Sequence, residues 1–129
     1  MKILLAEDHD NLREIIEDYL AVHGYVVESF DNGEDAYYSF LTESYDLVLL
    51  DVMMPKMDGF TLCKKIREKE EIPILFITAK VQEVDQLKGY ELGCDDYIIK
   101  PFSLPVLLAK CNAIMNRKHY QFLERGVLK

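Results

Sequence analysis

Short apolar runs alternate with amphipathic stretches along the whole chain. The runs lie at residues 2–6, 25–30, 47–50, 73–77 and 97–99, and each predicts a β-strand. The third run, LVLL, contains four aliphatic residues with no polar break, which is typical of a strand buried on both faces. The pattern therefore predicts a sheet whose central strands are covered on both sides.

Apolar residues recur at helical spacing between these runs. After the first strand the recurring positions are Leu12, Ile15, Ile16, Tyr19 and Leu20. This spacing predicts a helix with one buried face. Asn11 and Glu14 form a capping-box signature at its start, and Gly24 is placed to end it. Further helices are predicted near residues 34–41, after Gly59, over residues 82–92 and from residue 104 to about 117.

Five strands that alternate with five helices predict an α/β fold, a doubly wound parallel sheet. In such sheets ligands bind at the carboxyl ends of the strands, at the point where the strand order reverses. The residues that follow each predicted strand are therefore the first candidates for a functional site.

Polar residues with matching chemistry follow four of the five strands. They are Glu7 and Asp8 after the first strand, Asp51 after the third, Thr78 after the fourth and Lys100 after the fifth. Each alone has an ordinary explanation as a turn former, a helix cap or a surface residue. Together they indicate a site, because residues of matched chemistry are unlikely to follow different strands by chance. Carboxylates held close to one another also resist joint ionisation. A hard divalent cation, most naturally Mg²⁺, would remove that conflict.

Composition and charge exclude several classes of function. The 129 residues suffice for one domain, and 23 acidic against 15 basic residues give a net charge of -8. Such a chain binds nucleic acid or anionic membranes poorly. Its apolar runs are too short to span a membrane and the residues MKILLAED do not have the pattern of a signal peptide, so we predict a cytoplasmic protein. Three cysteines without a CxxC pair indicate reduced thiols.

The motifs Glu7-Asp8, LVLLDVMMPKMDG, ITAK and GCDDYIIKPF resemble the receiver domain of two-component response regulators, over residues 1–118. The resemblance implies a flavodoxin-like (βα)5 fold with strand order 2-1-3-4-5. It also implies that Asp51 accepts a phosphoryl group from a phosphohistidine of a sensor histidine kinase. By position, Asp8, Asp51 and the backbone carbonyl of Met53 would bind Mg²⁺, while Glu7 would act through a bound water.

The same resemblance implies a conformational switch. Lys100 would contact the phosphoryl oxygens, Thr78 would hydrogen-bond to them, and Tyr97 would be the aromatic residue that reorients. The Lys100–Pro101 peptide bond is expected to be cis. Gly89 lies within the fourth predicted helix, where it either weakens a mobile helix or permits close packing. The sequence leaves these two alternatives open.

The run GCDDYIIKPF makes the chain most similar to receivers of OmpR/PhoB-type regulators. The resemblance implies a homodimer of the phosphorylated form through the fourth helix, fifth strand and fifth helix. The matching positions are Lys88, Asp95, Asp96, Lys110 and Arg117. Val106, Lys110 and Asn116 depart from the family's charge pattern, so we expect a weaker dimer than the full charge set would give.

Residues 119–129 look like the start of a linker to a C-terminal DNA-binding domain absent from this chain, so DNA would be bound only through that domain. A stand-alone receiver that signals by protein contacts is an alternative. A second alternative is an aspartate-nucleophile phosphatase, which also uses Mg²⁺, Asp and Lys. Such enzymes place a DxDx[TV] motif on the first strand, where this chain has EDHD. We therefore predict a signalling switch and not a turnover enzyme.

Overall fold

A computed structural model describes the backbone of residues 1–79 and 82–127, and their side chains except those of residues 83, 84 and 118–127. Within these residues five strands alternate with five helices, as predicted. The strands are β1 (Lys2–Ala6), β2 (Val26–Phe30), β3 (Leu47–Leu50), β4 (Ile74–Thr78) and β5 (Asp96–Ile99). The helices are α1 (Asp10–Val22), α2 (Gly33–Thr42), α3 (Gly59–Arg67), α4 (Glu83–Glu91) and α5 (Leu104–Val127).

All neighbouring strands are parallel, and their order is β2-β1-β3-β4-β5. The flavodoxin-like order that the resemblance implies is confirmed. Ala6 of β1 pairs with Leu50 of β3, and Leu50 pairs with Phe76 of β4. Because these pairs are in register, the residues that follow β1 and β3 leave the sheet side by side.

The sheet separates two apolar layers, and alternate residues of β3 belong to different layers. Val48 and Leu50 pack in the layer that contains α2 and α3 residues, whereas Leu47 and Leu49 pack with α1 and α5 residues. All four side chains are fully buried, as the unbroken aliphatic run predicted. Burial of such a side chain contributes about 1.5–3 kcal/mol to the stability of the fold. The position of β3, and so of Asp51 at its end, is therefore well fixed. The three cysteines are buried free thiols, as predicted.

Helix α1 begins earlier than its capping-box signature predicted. The N-cap is His9, whose Nδ1 accepts a hydrogen bond from the backbone N of Leu12. Asn11 and Glu14 therefore lie within the helix, and the predicted capping box is wrong. Ile15 is also 50% exposed although its spacing predicted burial, because the buried face of α1 is centred on Ile16 and Leu20.

The last helix is longer than predicted. We expected α5 to end near residue 117, but it extends to Val127, since residues 118–125 include no glycine or proline. The linker at residues 119–129 stays a prediction, and residues 128 and 129 lie outside the described part of the chain. Across the residues described, none of the helices has the length and apolar character needed to cross a bilayer.

Candidate functional site

The ends of four strands meet at one edge of the sheet and bring the predicted polar residues together. Glu7, Asp51 and Thr78 are 1%, 5% and 1% exposed, which is unusual for polar side chains. They lie beside a cavity of about 490 Å³. The cavity is lined by Asp8, His9, Asp10, Asp51, Met53, Thr78, Ala79 and Lys100.

Lys100 lies between two buried carboxylates. Its Nζ is 2.6 Å from Glu7 Oε1 and 2.7 Å from Asp51 Oδ2. Burial lowers the pKa of Lys100, but the contacts with Asp51 and Glu7 outweigh it and raise the pKa above its usual value. Lys100 is therefore an ammonium at neutral pH. It is joined to Pro101 by a cis peptide bond, as expected.

Glu7 is incompletely stabilised as a carboxylate. Its Oε2 accepts a hydrogen bond of 3.0 Å from the backbone N of His9. Its Oε1 makes the ion pair with Lys100 but receives no well-directed hydrogen bond from the part of the chain that the structure describes. Burial raises the pKa of Glu7 to about 7, although the contacts with Lys100 and His9 lower it.

Three acids could together hold a metal ion. Glu7, Asp8 and Asp51 each offer a carboxylate oxygen, and these oxygens lie within 4.8 Å of one another. One ammonium cannot neutralise three carboxylates, and burial, with a smaller contribution from the Asp51 charge, raises the pKa of Glu7. A hard divalent cation prefers oxygen ligands and would supply the missing positive charge. The residues therefore fit such a cation.

Two backbone features of the β3–α3 loop fix the position of Asp51. The backbone N of Met53 donates to Asp51 Oδ1 at 3.3 Å. Gly59 packs so closely that a Cβ built on it would lie 2.0 Å from the backbone O of Asp51. Asp58 caps α3 by accepting a hydrogen bond from the backbone N of Thr61 at 2.8 Å. The DG pair thus starts α3 directly against the acid.

The two residues assigned to the switch lie on adjacent strands. Thr78 ends β4 and lines the cavity, while Tyr97 lies in β5, paired in register with Phe76. The Tyr97 ring is 7% exposed, and its centroid is 5.9 Å from that of Phe76. Burial raises the pKa of Tyr97 to about 12, so its hydroxyl stays protonated. The structure therefore places Tyr97 in an inward position.

Sequence reasoning missed two residues that support the site. His9 caps α1 and also holds the Glu7 carboxylate through its backbone N. Arg13 donates from Nη1 to the backbone O of Glu7 at 2.9 Å and from Nη2 to Asp10 at 2.7 Å. The spacing of Asp10 and Arg13 is a usable signal for a helical ion pair, but nothing in the sequence indicates the contact with Glu7.

The predicted interface residues lie on α4, in and beside β5, and on α5, and four of them have partners within the chain. Lys110 Nζ is 2.8 Å from Asp96 Oδ2, and Arg67 Nη2 is 3.2 Å from Asp95 Oδ2. Lys88 Nζ lies 5.0 Å from the centre of the Phe60 ring.

Arg117, the remaining predicted interface residue, is exposed on α5. Pairing of the charged residues with a second copy would therefore require Lys88, Asp95, Asp96 and Lys110 to exchange the partners they have within one chain.

Comparison with known proteins agrees with this arrangement. The family model described as "Response regulator receiver domain" matches residues 3–112. The transcriptional regulatory protein RprY of Bacteroides fragilis is 47% identical over 118 residues, which are 91% of this chain and 50% of RprY. ResD of Bacillus subtilis is 40% identical over 116 residues, 90% of this chain and 48% of ResD. The chain thus spans about half the length of these relatives.

Solved structures show the same likeness. The BeF3-activated N-terminal receiver domain of Klebsiella pneumoniae RstA aligns with a TM-score of 0.85 at 34% identity, covering 89% of this chain and 98% of that domain. A two-component response regulator from Clostridium difficile aligns with a TM-score of 0.89 at 33% identity, covering 92% of this chain and 98% of the other.

Proposed function

Because the chain belongs to the response regulator receiver domain family and resembles its OmpR/PhoB-type members, we propose that Asp51 accepts a phosphoryl group from a sensor histidine kinase. One observation carries this proposal. The buried Asp51 carboxylate lies 2.7 Å from the Lys100 ammonium, beside an open cavity. An ionised nucleophile with a fixed positive charge beside it is what phosphoryl transfer to a carboxylate needs.

The transfer forms one bond and breaks another. A carboxylate oxygen of Asp51 attacks the phosphorus of the phosphohistidine, the P–N bond breaks, and the imidazole leaves with its electron pair. Lys100 stabilises the negative charge on the phosphoryl oxygens, and Thr78 donates a hydrogen bond to one of them. The acyl phosphate that results is labile, so the signal is temporary. The chain thus promotes its own phosphorylation and dephosphorylation but does not turn over a substrate.

We further propose that this chemistry uses Mg²⁺. Asp8, Asp51 and the Met53 carbonyl would hold the ion, with Glu7 acting through a bound water. Bound magnesium would neutralise charge on the transferring phosphoryl oxygens. The three carboxylate oxygens within 4.8 Å of one another support this assignment, as does the incomplete stabilisation of Glu7.

A largely apolar groove beside the site supports a protein as the phosphoryl donor. Its volume is about 610 Å³, and its lining includes Leu12, the half-exposed Ile15 and Phe102. His9, Ala79 and Lys100 line both this groove and the site cavity, so the two are continuous. We propose that the groove receives the kinase segment that carries the phosphohistidine.

The output of the switch is proposed from the relatives. Since the chain spans about half the length of RprY and ResD, we propose that a C-terminal domain beyond it binds DNA and controls transcription. The net charge of -8 makes this domain a poor DNA binder by itself. We also propose that phosphorylation favours a homodimer through α4, β5 and α5. The free thiols of the buried cysteines suit the reducing cytoplasm.

Phosphoryl incorporation tests the proposal directly. After incubation with acetyl phosphate and Mg²⁺, intact-mass measurement should show one added phosphoryl group on the unaltered chain. Asp51→Asn should abolish the addition, and a chelator should suppress it. The matched control is Asp58→Asn, which alters an acid of the same loop that only caps α3. Full labelling of the Asp51→Asn variant, or steady hydrolysis of phosphomonoesters, would show that the assignment is wrong.

A further inference from the structure

Helix α4 rests on the sheet through a glycine. Among the α4 residues whose side chains the structure describes, 85–91, Gly89 alone is buried. A Cβ built on Gly89 would lie 3.4 Å from Cδ2 of Phe76, 3.4 Å from Cδ2 of Tyr97 and 3.5 Å from Sγ of Cys94. The backbone of α4 therefore lies directly against the ring of the switch residue.

The Tyr97 ring belongs to a row of three aromatic rings. The centroids of Phe60 and Phe76 are 5.4 Å apart, and those of Phe76 and Tyr97 are 5.9 Å apart. Lys88 Nζ lies over the Phe60 ring at 5.0 Å. Two consecutive residues of α4, Lys88 and Gly89, thus contact opposite ends of this row. Any displacement of the Tyr97 ring changes the surface on which α4 rests.

In the part of the chain that the structure describes, helix α4 lacks a capping contact that the three helices before it have. Helices α1, α2 and α3 have N-cap side chains that accept a backbone hydrogen bond, from His9, Asn32 and Asp58. Within the described residues, Gln82 at the start of α4 makes no such bond. A glycine within a helix lowers its stability further relative to alanine. Of the two alternatives that the sequence left open for Gly89, the structure bears out close packing, and a weak, mobile α4 stays a prediction.

We propose that Gly89 is a positioning residue of the switch. Because it presents no side chain to Phe76 and Tyr97, α4 and the Tyr97 ring can shift against each other, and this keeps the switch reversible. The inference rests on the proposed function, to which we add that phosphorylation favours the inward position of the Tyr97 ring that the structure shows. A methyl group at position 89 would make ordinary van der Waals contact at 3.4 Å and would hold Tyr97 in its buried position. A leucine side chain would exceed the space and expel the ring.

Fluorine NMR of 3-fluorotyrosine-labelled protein tests the effect on Tyr97, whose resonance is assigned with Tyr97→Phe. In the unaltered chain, beryllofluoride with Mg²⁺ should shift this resonance. Gly89→Ala should move it toward the activated position without beryllofluoride and reduce the induced shift by at least half. Gly89→Leu should move it the opposite way. The control Glu91→Ala, exposed on the same helix, should leave both spectra unchanged. A Tyr97 resonance unaltered by either Gly89 substitution would overturn the proposal.

A double-mutant cycle separates the ring contact from helix propensity. Alanine at position 89 should raise the folding equilibrium constant about fivefold through propensity alone. In a Tyr97→Leu background the ring contact is lost. The factor by which Gly89→Ala raises the folding equilibrium constant should therefore be at least three times smaller than in the unaltered background, where propensity and the ring contact act together. Equal effects in both backgrounds would mean that Gly89 acts only through propensity, and the proposal would be wrong. The cycle needs no phosphorylation, so it decides the Gly89 contact even if Asp51 fails to accept a phosphoryl group.

Discussion

Lys100 holds two carboxylates that would otherwise repel each other in a buried site. Its Nζ lies within 2.7 Å of an oxygen of both Glu7 and Asp51, whose side chains are 1% and 6% exposed. Burying a carboxylate without a counter-charge is costly, and the raised pKa of Glu7 indicates that the single ammonium compensates only part of that cost. The residues of the site by themselves therefore supply too little positive charge, and the phosphoryl chemistry proposed for the site requires more.

Replacement of Lys100 by methionine should expose this dependence. Lys100→Met leaves Glu7 and Asp51 adjacent without their cation. Breaking a buried pair costs about 3–5 kcal/mol, and since the Lys100 side chain is 20% exposed we expect about 2–3 kcal/mol of lost stability. Urea unfolding in chelator should show this loss, and added Mg²⁺ should recover more stability than in the unaltered chain. Beryllofluoride should no longer move the Tyr97 resonance.

Lys110→Met is the matched control for this measurement. Lys110 also pairs with one carboxylate, that of Asp96, but both side chains are about a third exposed, at 33% and 29%. Its loss should cost less than about 1 kcal/mol and should not depend on magnesium. Equal stabilisation of both variants by Mg²⁺ would contradict the role given to Lys100.

The residue types of the site could be predicted from the sequence, but their environments could not. Glu7 and Asp8 follow the same strand, and no pattern shows that Glu7 is 1% exposed while Asp8 opens to the cavity. The contacts of His9 and Arg13 with Glu7 involve backbone atoms, so they depend on the path of the β1–α1 loop. The backbone path of this loop is set by tertiary packing, which cannot be predicted from the spacing of residues in the sequence.

At the scale of elements, strands were predicted better than helix ends. The bounds of β1 and β3 match their apolar runs, and the other strand bounds shift by one residue. Helix ends depend on which side chain caps the backbone. The cap of α1 is a histidine that stands before the predicted Asn11, and α5 continues past residue 117 because residues 118–125 include no glycine or proline. Neighbouring residues that could each cap a helix differ by only about 1 kcal/mol in the stability they give it, so the sequence does not show which one is used.

The junction of β3 and α3 gives a test at this scale. Gly59→Ala would place a Cβ 2.0 Å from the backbone O of Asp51, so either α3 or the acid must move. Backbone atoms yield poorly, so we expect a loss of about 3 kcal/mol or more and little phosphoryl incorporation from acetyl phosphate. Asp58→Ala, which removes only the cap on Thr61, should cost about 1 kcal/mol and retain incorporation. A stable Gly59→Ala chain that is phosphorylated normally would contradict this view of the loop.

At the scale of the whole molecule, the α4–β5–α5 surface combines exposed apolar side chains with charges already paired within the chain. Leu87 and Tyr90 are 55% and 48% exposed, and Val106 is 48% exposed. Exposed ion pairs contribute about 0–1 kcal/mol each, so exchanging the Asp96–Lys110 pair for one between two copies changes little by itself. The net strength of a dimer here therefore depends on apolar contact and on any charge pair that has no equivalent within the chain.

Position 106 allows that balance to be measured. Among the ion pairs and ring contacts of the described residues, Lys88 makes one contact, with the face of the Phe60 ring. A glutamate at position 106 of a second copy would therefore offer Lys88 a carboxylate with which to form an ion pair. We expect Val106→Glu to strengthen the dimer of the beryllofluoride-bound chain, although it removes apolar surface. Asp96→Lys should weaken that dimer, since the new ammonium group would lie beside the ammonium group of Lys110 and the two would repel each other. Sedimentation velocity over a concentration series, with and without beryllofluoride, measures both effects. A tight dimer that responds to neither substitution would mean that the chain assembles through another surface.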